Sequence, residues 1–363
     1  MIKRSLELIT ITQENSPIFT LPLEVLSLIL SNSPLRDHQN LQETCSLFNS
    51  EVKKIQAAWF NVKKGDLSHF KRKKEAIGYQ AEEIQRIEIF LEDQGQNLTS
   101  VDFFSYPEEG KVPKPPNQAL TFALKCPNAK VLRLGKDLRD EDLKQLMETF
   151  KSKLTRLEIT ASQISVTGLS YFSSFTRLTC IDLTCNKIGD AAAVFFASYS
   201  KILTALNLSC NLITTQGFLW LISNPHLKKL SVASNLIALN TTTEANLGFI
   251  KDINITDLDM SFNNNTDSCA PFFVSLLFLK KLNLADNLVT AEGLSILLSS
   301  PHLTSLNMSA NEGLVFDDDA ISKLPCRPGL KTLDLSKNKI PPETQEKIRT
   351  KLNEINPQLV IVF

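Results

Sequence analysis

Side chains able to ionise or hydrogen-bond recur in this 363-residue chain at one fixed place in a repeated phrase. The series runs Glu158, Asp182, Asn207, Ser231, Asp259, Asn283, Asn307 and Asp334, and every member sits between two apolar residues. Two residues further on, a second series is small: Thr160, Thr184, Ser209, Ala233, Ser261, Ala285, Ser309 and Ser336. Arg156, Lys229 and Lys281 stand two residues before the first series. In an extended strand alternate residues share a face, so the three columns would share one side of a sheet while the apolar residues fill the other. Carboxylates so placed can receive a basic segment, and small residues let a partner approach the strand backbone. The competing reading is that Asn, Asp and small residues are what these strands favour for themselves.

For catalysis the sequence offers little. The four histidines are His38, His69, His226 and His302, and the last two hold equivalent places in NPHL and SPHL phrases. No Gly-rich phosphate loop, metal-ligand spacing or nucleophile motif appears, so no catalytic residue, metal or cofactor is assigned. The seven cysteines make an odd count without CxxC spacing. Five of them sit in apolar or strand-like patterns, which predicts reduced packing residues rather than disulfides or zinc ligands.

A formal net charge of zero gives no bulk attraction to nucleic acid or anionic membrane, and the local KRKK run at 71–74 reads as a solvated face. Residues 1–16 lack the apolar run of a signal peptide, and no segment approaches a membrane span. The expected setting is aqueous, intracellular and reducing.

The positioning elements follow from the period. From about residue 126 the units LTRLEITASQI, LTCIDLTCNKI, LTALNLSCNLI, LKKLSVASNLI, ITDLDMSFNNN, LKKLNLADNLV, LTSLNMSANEG and LKTLDLSKNKI succeed one another, with a weaker leading unit at 129–138 that has Asp137 in place of Asn. The turn asparagines, Asn186, Asn211, Asn235, Asn263, Asn287, Asn311 and Asn338, step by 24 to 28 residues. Between them lie Gly-containing starts of apolar helical stripes, such as TTQGFLWLISNPH. These units resemble leucine-rich repeats of the helix-bearing kind. The resemblance implies an α/β solenoid, with parallel strands on the concave face and helices on the convex face, in which no single unit buries its own leucines. Each Asn is expected to bond backbone groups of adjacent turns. Residues 343–354 read as a polar helix and 358–363 as a closing strand that must be paired.

Ahead of the array, residues 19–52 predict three short helices carrying more apolar surface than so small a segment can bury. Leu21, Pro22, Glu24, Ile29, Leu30, Pro34, Asp37, Leu41, Cys45 and Phe48 resemble the F-box signature in order and spacing. The resemblance implies a small all-helical module that docks a Skp-type adaptor, with Leu21, Pro22, Glu24, Ile29, Leu30, Leu41, Cys45 and Phe48 facing or supporting that contact. The bland alternative is a helical cap on the solenoid. The expected organisation is a tail at 1–16, the F-box-like module at 17–55, a linker or capping region at 56–125 that reads as helical, as a spacer or as a degenerate first repeat, repeats at 126–342 and a C-terminal cap at 343–363. The repeat length resembles that of bacterial GALA-type secreted effectors, which also carry an F-box.

Taken together, the resemblances imply a non-catalytic substrate receptor. The F-box would engage the adaptor and a cullin ligase, and the repeats would hold a target protein in a host cell. The expected target-facing residues are Glu158, Asp182, Asn207, Lys229, Asp259, Lys281, Asn283, Asn307 and Asp334. Neither nucleic acid nor a cofactor is expected to bind. The alternative function is an interaction scaffold without ubiquitin chemistry.

Overall fold

The computed structural model describes residues 91–92, 95–103, 118–135, 138–199, 201–239, 252–325 and 327–363. The expected F-box module, with all its adaptor-facing residues, lies outside the described residues, as do Asp137, Cys45 and Cys326.

The chain divides at Leu134 into two units. In the first, β1 (Ser100–Phe103) pairs in parallel with β2 (Val131–Leu134), Ser100 opposite Val131. The helix α1 (Gln118–Leu124) runs between them in sequence. Leu98, Val101, Leu120, Phe122, Ala123, Cys126, Leu132 and Leu134 are buried here. A strand and a helix therefore precede residue 126, within the stretch read as linker or cap.

The second unit holds nine parallel strands in chain order: β3 (Arg156–Ile159), β4 (Cys180–Asp182), β5 (Ala205–Asn207), β6 (Lys229–Ser231), β7 (Asp257–Asp259), β8 (Lys281–Asn283), β9 (Ser305–Asn307), β10 (Thr332–Asp334) and β11 (Val360–Val362). Glu158, Asp182, Asn207, Ser231, Asp259, Asn283, Asn307, Asp334 and Val362 stand in one row. The helices are α2 (Asp140–Phe150), α3 (Val166–Phe172), α4 (Asp190–Ala197), α5 (Thr215–Ile222), α6 (Ala270–Ser275), α7 (Ala291–Leu298), α8 (Asp318–Ser322) and α9 (Pro342–Asn353). The closing strand β11 is paired, on β10.

The leucine code explains the core. In β5, Leu206 and the flanking Leu203 and Leu208 are buried, while Ala205 and Asn207 are half-buried. Each such leucine contributes roughly 1.5–3 kcal/mol when removed from water. Behind the strands, Phe150, Phe172, Phe196, Phe218 and Phe273 project from successive described helices and are fully buried. Phe172 and Phe196 meet edge to face with centroids 5.9 Å apart. Phe218 and Phe272 do so at 6.2 Å.

Two hydrogen-bond ladders tie one repeat to the next. In the first, the Asn211 amide accepts from the backbone N–H of Asn186 at 3.0 Å and of Ile188 at 3.3 Å, and donates to Leu183 O at 2.8 Å. Asn235 repeats this on Asn211 N, Ile213 N and Leu208 O. Asn263, Asn287, Asn311 and Asn338 continue the column. These are the buried backbone groups that no regular strand pairing reaches.

The second ladder lies at the helix starts. Asp190, at the first position of α4, accepts from Thr214 N at 2.8 Å and Thr214 Oγ1 at 2.6 Å, and Thr214 is the N-cap of α5. Asp140 holds Ser165 in the same way, and Asp267 holds Thr290. A Cβ on Gly217 would stand 2.1 Å from Asp190 Oδ1. Gly168 and Gly293 meet Asp140 and Asp267 in the same manner, so glycine opens these helices because the neighbouring carboxylate occupies the space.

Candidate functional site

The strand face of the second unit carries the three columns. A shallow open groove crosses it, lined by residues from β3 to β9, among them Asp182, Asn207, Lys229, Asp259, Lys281, Asn283 and Asn307. Of the nine residues expected to face a target, these seven come together. Glu158 and Asp334 hold the same row but do not line the groove.

The row of Asp and Asn has a structural task. Asp182 Oδ1 accepts from Thr184 N at 2.9 Å and from Thr184 Oγ1 at 2.6 Å. Asn207 Oδ1 does this for Ser209 N and Oγ, and Asp259 Oδ1 for Ser261 N and Oγ. Asn283, Asn307 and Asp334 accept from the backbone of Ala285, Ser309 and Ser336 at 2.9–3.1 Å. Each is an Asx turn that draws the chain out of its strand, which accounts for Asp or Asn in one column and partly for Ser or Thr in the next. The task occupies one side-chain oxygen. The second oxygen of Asp182 receives Asn207 Nδ2 at 2.9 Å.

The charges of the column that holds Arg156, Lys229 and Lys281 are mixed. Arg156 pairs with Glu158 beside it. Lys281 Nζ lies 3.7 Å from Asp257 Oδ1, both partly exposed, a contact worth about 1 kcal/mol or less. Lys229 stands opposite Asp257 across the β6–β7 register. Asp257 and Ser231 line the groove without having been singled out as target-facing. Asp257 shares the column of Arg156, Lys229 and Lys281, so reading that column in full would have found it.

A second missed feature is apolar. Leu212, Leu236, Phe262 and Leu288, all in the turns that follow the strands, are each more than half exposed. The backbone there is left-handed at Leu212 (φ 63°) and Phe262 (φ 55°), which turns the side chain away from the core that strand alternation would give it.

The cysteines divide. Cys126 and Cys269 are buried, as packing residues are, and burial pushes the Cys126 thiol up to about 12. Cys185 and Cys210 are exposed instead, contrary to the packing expectation. Each follows its strand at a left-handed position, φ 60° and 55°, where the alternation rule lapses. Among the described residues no group of three or more His, Cys, Asp or Glu side chains is arranged around a common metal position, and no helix is long and apolar enough to cross a membrane.

The units of this array, each a strand, a turn and a helix, are built as leucine-rich repeats are. A family model described as a leucine-rich repeat matches residues 176–197, which span β4 and α4. Among solved structures, an internalin from Listeria monocytogenes is similar at 16% identity and a TM-score of 0.46, over 78% of this chain and 88% of that one. No curated protein matches the chain.

Proposed function

We propose that the strand face is the recognition surface for a target protein and that the chain is a receptor which presents this target to a ubiquitin ligase. The observation that carries the recognition half is the groove from β3 to β9, where Asp259, Lys229, Lys281 and Asp257 line a face that no helix among the described residues lines. Mixed charge over small side chains suits a polar protein segment whose charges alternate. The ligase half rests on Leu21, Pro22, Ile29, Leu30, Leu41, Cys45 and Phe48 in the F-box-like order. Tethering a target beside a charged ubiquitin-carrying enzyme acts through effective concentration, with no chemistry asked of this chain. The repeat length favours a secreted bacterial effector working in host cytoplasm.

Mixing the purified chain with a Skp adaptor tests the ligase half. A stoichiometric complex on size exclusion is expected, and Leu21→Ala with Pro22→Ala abolishes it while circular dichroism stays unchanged. Absence of a complex with the wild-type chain leaves a plain interaction scaffold. For the recognition half, Asp259→Asn with Asp334→Asn keeps the Asx-turn acceptors and removes two charges. Proximity labelling in host cells should lose its principal target with that variant, and retained labelling would move the site off the strand face.

A further inference from the structure

Cys185 and Cys210 sit where the chain leaves β4 and β5, with matching left-handed backbones and exposed side chains. The two turns are held side by side. Cys185 N donates to Ser209 O at 2.9 Å, Asn186 N to Asn211 Oδ1 at 3.0 Å and Gly189 N to Asn211 O at 2.6 Å. Asp182 is opposite Asn207 in the strand register, and carrying that register forward sets Cys185 opposite Cys210. Neighbouring strands lie about 4.8 Å apart, and a disulfide spans Cα positions about 4.4–6.8 Å apart. The Cys185 thiol is pushed up to about 11 by burial, then by the hydrogen bond and charge of Cys210, then by Asp182, so the two sulfurs are within electrostatic reach. At the equivalent turns the chain has Ala161, Ser234, Phe262, Asp286, Ala310 and Lys337, so among the described turns two successive cysteines occur only here.

We propose that Cys185 and Cys210 are a dithiol modification site, which a low-molecular-mass disulfide such as oxidised glutathione converts into a bridge between two successive repeats. One thiol loses its proton and attacks a sulfur of the small disulfide; its S–S bond breaks and one small thiol leaves. The second cysteine then loses its proton and attacks the protein-bound sulfur, expelling the other small thiol. The two cysteines are oxidised together and the small disulfide is reduced to two thiols. The bridge fixes the rim of β4 and β5, whose strand residues Cys180, Asp182 and Asn207 line the groove.

The test incubates the full chain with oxidised glutathione, quenches in acid, alkylates and maps peptides. The expected product joins the Cys185 and Cys210 peptides, about 2 Da lighter than the reduced pair and free of glutathione. In Cys185→Ser, glutathione should remain on Cys210, and in Cys210→Ser on Cys185, with circular dichroism showing both variants folded. Glutathione retained on the wild-type pair without a link overturns the proposal. So does a link from either residue to Cys180, or no reaction under conditions that modify the unfolded chain.

Discussion

Asn211→Ala tests whether the asparagine ladder or the leucine core alone makes the array cooperative. Asn211 is fully buried and serves three strand-end groups of the preceding repeat. Alanine leaves the Asn186 and Ile188 N–H groups, both nearly buried, without their acceptor. Leu183 O fares better, because Asn186 Nδ2 also donates to it at 2.8 Å. Two orphaned donors at about 1–3 kcal/mol each predict a loss of roughly 2–6 kcal/mol, a large part of a domain stability of about 5–15 kcal/mol. The lost groups lie between two repeats, so the coupling term of the array is what falls. Urea unfolding followed by far-UV circular dichroism should show an earlier midpoint and a shallower slope as the two flanks separate. Lys187→Ala, exposed on the turn that carries the Asn186 and Ile188 donors, is the control and should stay within about 0.5 kcal/mol of wild type. A loss below about 1 kcal/mol for Asn211→Ala, with an unchanged slope, would refute the reasoning.

Gly217→Ala should cost about 2 kcal/mol, because its Cβ displaces the Asp190 carboxylate from Thr214; thermal melts read this, and a neutral result would mean the helix shifts at no cost. Asp142 is buried, and burial raises its pKa most, with Glu141 adding to the rise and the Arg139 backbone N–H and charge opposing it. The folded state then holds this proton more tightly than the unfolded chain, so that share of stability is complete below the ordinary carboxylate range and lost as pH rises through the folded value. Asp142→Asn should accordingly gain on wild type as pH climbs from about 3 to 7 in urea midpoints, and a constant difference would count against burial as the cause. At Asp259, Asn should leave the melting temperature unchanged while Leu costs about 1 kcal/mol, because only Leu removes the acceptor for Ser261; equal losses would deny the Asx turn its role.

The period, the strand leucines and the turn asparagines were legible because each obeys a local rule that repeats. The helix-start clasp was half legible: the glycines of TTQGF and TAEGL were visible, but their cause is a carboxylate one repeat earlier in the chain. Cys185, Cys210, Leu212 and Phe262 were misplaced or passed over for one reason. A single left-handed residue after the strand reverses the inside–outside alternation, and no side-chain pattern announces it. Asp257 is hard to find from sequence because its column also holds Cys180, Ala205 and Ser305 and has no single residue type. The residue types of the mixed column of Asp and Asn come from a turn bond as well as from any partner.

That turn bond has a consequence for how such a face can diversify. Six successive or near-successive strands end on a side chain that must offer one carbonyl-like oxygen, and either acid or amide meets the requirement. Outside the Asp182–Asn207 pair, whose second atoms bond each other, the other terminal atom is left open as to charge. Exchanging Asp for Asn therefore rewrites the electrostatic pattern of the sheet one unit at a time, without repacking a leucine. A recognition surface could be retuned on this column as a row of two-position switches, independent except at the bonded pair Asp182 and Asn207, at present set to charged at Asp182, Asp259 and Asp334 and neutral at Asn207, Asn283 and Asn307.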